Sequence, residues 1–292
     1  MGDSLSSLSF ILLYGTSYGL ILFIIAIGLV ITMGLMRVMN LAHGAFAAIG
    51  GYLAVGLMAE AGLSFVPAVL LAVIAVVLLS VVLERLVFSS LYGANELDQV
   101  LMTIGVNFIV IGLITIVFGP NVYPVQLPEA LRGSVDLGIR DFEIYRLFVI
   151  AVGLVVVLGL WMLFDRTSFG AKLRAAVDNP SMTGVIGINV SGIFVVAFGL
   201  GSGLAALGGA IGAAMLPLEP YYPMKYLVLV LVVVALSGFG NMKASLAVAV
   251  LVGIADTAGR FLVPDFGGFV IYIVLVVLMV VRPQGLFARR TG

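Results

Sequence analysis

Nine apolar runs, at 11–35, 39–58, 65–88, 100–118, 146–164, 192–215, 226–240, 244–261 and 268–281, recur along the whole of this 292-residue chain. A bilayer core about 30 Å thick is crossed by about 20 helical residues, and in lipid each backbone polar group must find its partner inside the protein, which a helix provides. Hydrophobic residues make up 63% of the chain and charged residues 10%, more apolar surface than a soluble core could hide. The pattern predicts an all-α polytopic membrane protein, about 8–9 transmembrane helices in a single domain over residues 1–292. Within 226–261, Ser237 to Lys243 splits the apolar stretch into two short pieces. Those pieces form either two crossings or a re-entrant hairpin whose broken backbone is satisfied by protein or water.

The placement of Lys and Arg sets the orientation. The loop at 165–191, the loop from Arg85 to Gln99 and the tail from Arg282 to Gly292 fall on one side of this span map, and with Arg37 and Lys243 that side holds nine of the fourteen basic residues. The positive-inside rule makes it the cytoplasm, with the N-terminus outside and the C-terminus inside. Arg132, Arg140, Arg146, Lys225 and Arg260 lie opposite, the first two in the extracytoplasmic loop 119–145. That loop is either a surface for a substrate-delivering partner or an ordinary solvated connection. No Lys or Arg precedes Arg37, so a cleavable signal peptide with a basic n-region is not expected.

The longest polar interruption in the apolar second half is Asp165 to Gly187. It reads as a short amphipathic helix, Phe169 to Val177, entered through Ser168 as N-cap and stopped by Asn179-Pro180, because proline cannot continue a hydrogen-bonded turn. Phe169, Leu173, Ala176 and Val177 share one face, with Arg174 and Asp178 opposite. Such a segment suits a docking helix for a cytoplasmic partner.

Polar residues inside apolar runs are the other candidates. Asn40 and His43, three apart at the start of the second run, share a helical face with Gly44, Ala47 and Gly51; they either tie a chain break to neighbouring helices or contact substrate. Thr103 and Asn107, four apart, either line a path or bond across helices. Glycines at 199, 201, 203, 208, 209 and 212 mark close helix packing. Asp256 and Arg260, four apart, form a candidate pair near the outer end of their helix.

Several functions are disfavoured. Zero formal net charge argues against a nucleic-acid partner. With no cysteine and one histidine there is neither a disulfide framework nor a metal-ligand set. A phosphate-binding Walker A loop needs a Gly-Lys-Ser/Thr sequence, and no Gly-Lys dipeptide occurs. No Ser, His and carboxylate combination suggests hydrolysis, so no catalytic residue is assigned, and energy for transport has to come from a partner. An ion-coupled carrier would more often keep an acid near the midplane, where Asp256 is the one fair candidate.

Asn40-Leu41-Ala42-His43-Gly44 followed by Gly50-Gly51-Tyr52 resembles the Asn-Phe-Ala-His-Gly signature of branched-chain amino-acid ABC permeases of the LivH type. Thr103 to Val106, then Thr167-Ser168-Phe169-Gly170 with Arg174-Ala175, Asn179 and Gly187-Ile188-Asn189, and finally Arg282 to Phe287, are similar to further family segments in the same order. One departure is Ser237-Gly238-Phe239-Gly240-Asn241, where the family often has Gly-Gly-x-Gly-Ser.

The resemblance implies a type II ABC importer permease fold with related halves, of which Gly50-Gly51 against Gly208-Gly209 is a faint trace. It implies a multi-pass protein of the bacterial inner membrane that works by alternating access. Its partners would be a LivM-type permease or a second copy, two cytoplasmic ATPases that carry the ATP and Mg, and a periplasmic binding protein; the chain itself would hold no cofactor. Ser168, Phe169, Gly170, Leu173, Arg174, Asn179 and Gly187 are the implied ATPase-coupling residues. Asn40, His43, Thr103, Asn107, Gly238 and Asn241 are the candidates for path or gate. Wider relatives carry urea, amides or aromatic acids, so these solutes are alternatives to branched-chain amino acids, and an ion-coupled carrier is a more distant one.

Overall fold

A computed structural model describes residues 2–35, 39–91, 93–136, 141–238 and 241–281. The expected tail Arg282 to Gly292, Arg37, Arg140 and the Phe239-Gly240 pair lie outside the described residues. Eleven α-helices form among them: α1 (Gly2–Leu35), α2 (His43–Glu60), α3 (Phe65–Leu86), α4 (Glu96–Phe118), α5 (Ile144–Arg166), α6 (Ser168–Asp178), α7 (Pro180–Val185), α8 (Val190–Gly212), α9 (Tyr222–Ser237), α10 (Met242–Leu262) and α11 (Gly267–Val281). Each expected apolar run contains one helix. Six of these, α1, α3, α4, α5, α8 and α10, are long and apolar enough to cross a bilayer, whereas α9 has 16 residues and α11 has 15. The fold is that of an all-α, multi-pass membrane protein, with one small exception in the loop 119–145. There β1 (Ser134–Asp136) pairs antiparallel with β2 (Asp141–Glu143), Val135 opposite Phe142.

Burial sorts the helices. In its most apolar stretch α1 is 83% buried, against 28% for α3 and α4 and 22% for α5. The second group is apolar all round yet half uncovered, with Leu70, Ile74 and Leu78 of α3 and Ile109, Leu113 and Ile116 of α4 turned outward. Uncovered aliphatic surface of this extent is what lipid contact requires. The core belongs to α1, α2, α8, α9 and α10. Close approach explains the glycines there: a side chain at Gly209 would strike the Ala47 backbone of α2, and one at Gly50 would strike the Ala206 backbone of α8. The faintly similar glycine pairs of the two halves therefore meet in one helix contact.

The helix starts fall into two kinds. Asn95, Asn189 and Asn241 cap α4, α8 and α10, each side-chain oxygen accepting the backbone N–H three residues on, at 2.9, 2.9 and 3.1 Å. By contrast α2 and α9 begin without a side-chain cap, and Gly44 of α2 lies directly against the Pro223 backbone of α9. Two helix beginnings thus abut inside the protein rather than at its surface.

Candidate functional site

The first cluster surrounds the break before α2. Asn40 precedes α2 and does not share its helical face with His43, because Leu41 and Ala42 form a turn and the helix begins only at His43. His43 is fully buried, with Nε2 2.7 Å from the Ile25 carbonyl of α1. A carbonyl only accepts, so Nε2 carries the proton and Nδ1 keeps its lone pair.

The backbone of the break is held from α4. Asn107 Nδ2 donates to the Leu41 carbonyl at 2.8 Å, and Gln99 Oε1 accepts from the Met39 N–H at 2.8 Å. Thr103 Oγ1 donates to the Gln99 carbonyl at 2.7 Å and lies 3.4 Å from that of Met39. Gln99, Thr103 and Asn107 follow at intervals of four on one buried face. Gln99 was not singled out from the sequence, although its spacing from Thr103 was a usable signal. Both amide atoms of Asn40, His43 Nδ1 and Asn107 Oδ1 are buried and have no hydrogen-bond partner among the described residues. Buried polar atoms without partners are uncommon, so the path candidates Asn40, His43, Thr103 and Asn107 make one locality with bonding capacity in reserve.

The second locality is the segment after α5. Its cap is Thr167 and not Ser168: Thr167 Oγ1 accepts from the Phe169 N–H at 3.2 Å, which starts α6 one residue earlier than expected. Gly170, Leu173 and Ala176 are buried, Phe169 and Val177 are half-buried, and Ser168, Arg174 and Asp178 are exposed, as the amphipathic pattern predicts. Gly170 sits on the Phe164 backbone, where a side chain would collide with the carbonyl. Arg174 donates to that same carbonyl at 2.9 Å, and the Phe169 ring meets Phe164 edge to face. The last turn of α5 leaves carbonyls with no helical partner, and Arg174 satisfies one of them.

Asn179 does not simply end α6; its side chain accepts from Met182 N–H at 3.0 Å and starts α7, with Pro180 in the first turn where its missing N–H costs nothing. Gly187 takes φ +83, the left-handed turn that leads to α8. Hence Gly170, Leu173 and Arg174 fasten the segment to its own chain. Its free outer surface is formed by Lys172 together with Met182, Val185 and Ile186, which are 60%, 82% and 66% exposed. Those three apolar residues were overlooked in the sequence; their signal was their position between Pro180 and Gly187 in an otherwise polar stretch.

Arg174 and Asn241 line one cavity of about 540 Å³ with Asp165, Lys243 and Trp161. The α6–α7 segment and the α9–α10 break therefore share a surface. At the break Gly238 ends α9 at φ +78, and Ser245 donates to Ser237 Oγ at 3.0 Å. No group of three or more His, Cys, Asp or Glu able to hold a metal occurs among the described residues.

Residues 11–279 match the family model described as branched-chain amino acid transport system / permease component. The high-affinity branched-chain amino acid transport system permease protein BraD of Pseudomonas aeruginosa is 25% identical over 245 residues, 80% of this chain and 79% of that protein. LivH of Escherichia coli K12, a permease protein of the same kind of system, is 21% identical over 214 residues, covering 71% of this chain and 69% of its own. A probable LivH from Methanocaldococcus jannaschii is 25% identical over 143 residues, covering 46% and 45%. No solved structure gives a significant match. With the family model spanning nearly all of the helical bundle, this chain belongs to the branched-chain amino acid transport system permease family.

Proposed function

We propose that this chain is the membrane-spanning subunit of an ATP-driven importer for branched-chain amino acids, with nine crossings, N-terminus outside and C-terminus inside, in the type II importer arrangement. It works by alternating access in the inner membrane. Two cytoplasmic ATPases hold the ATP and Mg and hydrolyse the nucleotide, a second permease completes the path, and a periplasmic binding protein delivers the solute. The chain is non-catalytic and holds no cofactor.

The observation that carries the reading is the α6–α7 unit: it is clamped to the end of α5 through Phe164, while Lys172, Met182, Val185 and Ile186 face outward. A unit rigid toward its own helix and adhesive on its far side transmits displacement. Closure of an ATPase dimer against this face would move α5 as a body, and the cavity shared with Asn241 gives the α9–α10 break a route to respond.

The test is ATPase stimulation by loaded binding protein in the reconstituted complex. Arg174→Glu and Gly170→Leu should each lower it by more than tenfold while membrane insertion stays normal; wild-type stimulation in both would remove the reading. For orientation, cysteines introduced at Ser181 and Val135 should react with an impermeant reagent from opposite sides, and same-side labelling would defeat the span map.

A further inference from the structure

Far from the docking segment, five elements distant in the sequence close around a cavity of about 610 Å³. They are the first half of α1, the start of α5, the α8–α9 connection with the start of α9, the end of α10, and α11. Its wall carries Arg146, Lys225, Arg260 and Asp256. Three of the five basic residues assigned to the extracytoplasmic side therefore gather here, from positions up to 114 residues apart.

Each cation has an acidic companion. Arg260 Nε lies 2.8 Å from Asp256 Oδ2, Arg146 Nε lies 2.9 Å from Glu143 Oε2, and Lys225 Nζ pairs with Glu219. The buried member of the first pair is the acid: the Asp256 side chain is 6% exposed and that of Arg260 is 64% exposed. Two cations also lie over aromatic faces, Arg146 3.9 Å from the Tyr14 centroid and Lys225 5.6 Å from that of Tyr226. Met215, Leu216 and Leu229 supply apolar wall.

This set of groups discriminates between ligand classes. A cationic solute meets three cations that are already paired with acids and finds no net negative charge to hold it. A neutral urea or amide makes little use of three ion pairs that are costly to keep near the membrane. A monoanion or dianion is opposed by Asp256. A zwitterion can use both signs: among the lining residues Lys225 and Arg260 offer donors to a carboxylate, Asp256 and the tyrosines offer an acceptor and ring faces to an ammonium group, and Leu216 and Leu229 offer apolar wall to an aliphatic side chain. The volume falls within the roughly 300–1,000 Å³ of small-molecule sites, in which a few polar groups orient a ligand and apolar wall fills the rest.

We propose that this cavity is a holding site for a zwitterionic aliphatic amino acid, occupied between its release from the binding protein and its passage inward. Arg260 bonded through Nε alone uses one of five donors, so a carboxylate can add to the pair without first breaking it. The assignment rests on the importer reading above and adds to it the identity of the groups that recognise the α-carboxylate and α-ammonium.

The chain has no cysteine, so Thr257→Cys places a single reporter thiol of this subunit on the cavity wall. In the assembled transporter in nanodiscs without binding protein, millimolar leucine should slow alkylation of that thiol at least fivefold. Isocaproate, which lacks the amino group, and isoamylamine, which lacks the carboxylate, should each slow it less than twofold. Lys225→Gln and Asp256→Asn, each added to the reporter, should raise the half-protecting leucine concentration about tenfold; Lys225 lies at the rim, so its replacement serves if the Asp256 variant does not assemble. Equal protection by leucine and isocaproate, or unchanged protection in Lys225→Gln, would overturn the site. If the unsubstituted complex imports leucine with ATP but leucine gives no protection, the holding site is wrong and the importer reading stands. If leucine protects but is not imported with ATP, the site stands and the ATP-driven reading fails.

Discussion

The polar stripe of α4 and the ion pairs at the cavity between α1, α5, α9, α10 and α11 spend their polar groups in opposite ways. Gln99, Thr103 and Asn107 are buried and direct their bonds at main chain, fixing the break from Met39 to Leu41. Arg146, Lys225 and Arg260 bond to carboxylates on side chains, and they lie where solvent or solute can reach. A main-chain partner cannot rotate away without unfolding its segment, so the first arrangement holds shape. A side-chain partner can be shared or exchanged, so the second can respond to a ligand.

The contrast breaks most sharply at Asn107. Asn107→Leu leaves the part-buried Leu41 carbonyl without its donor, a loss of about 1–3 kcal/mol, which should lower the thermal midpoint of the purified subunit well outside measurement error. An unchanged midpoint would show that the stripe does not hold the break. A smaller effect is expected at the start of α6, where Thr167→Ala removes the cap at a cost of about 1 kcal/mol, whereas Ser168→Ala should stay within about 0.5 kcal/mol. If the two replacements reverse in order under chemical denaturation, the assignment of the cap is wrong. The smallest change belongs to the cavity: Arg146→Gln breaks a pair whose arginine is half-buried and whose glutamate is exposed, worth roughly 0–1 kcal/mol, and should move the midpoint least of the three. A drop as large as that of Asn107→Leu would erase the distinction between the two regions.

Much of this organisation was legible in the residues, and the failures have physical causes. Apolar runs locate helices because lipid and core both demand them, and each of the nine runs holds one. The α6 face and the Asp256–Arg260 pair were readable because both depend on spacing within one helix. Boundaries were less so: Thr167 and Ser168 are both competent caps, and only the local geometry selects the first. Asn40 was misplaced onto α2 because three-residue spacing says nothing about whether a turn intervenes. The cavity lined by Arg146, Lys225 and Arg260 was not legible at all. Its cations come from α5, α9 and α10, and their meeting is a property of the folded bundle.

The burial of α1 has a consequence for how the molecule is made. α1 is synthesised before α8 and α10, yet it packs along both, and a side chain at Gly15, Gly19 or Gly28 would collide with backbone of those two helices. Some 200 residues separate its end from the start of α10, which at roughly 5–20 residues per second is on the order of 10–40 s of synthesis. Throughout that interval the most interior helix of the finished protein has to rest in lipid or against an insertion factor, its small-residue face open. A chain arrested before α8 would therefore present a helix built to be hidden, a natural mark for membrane quality control.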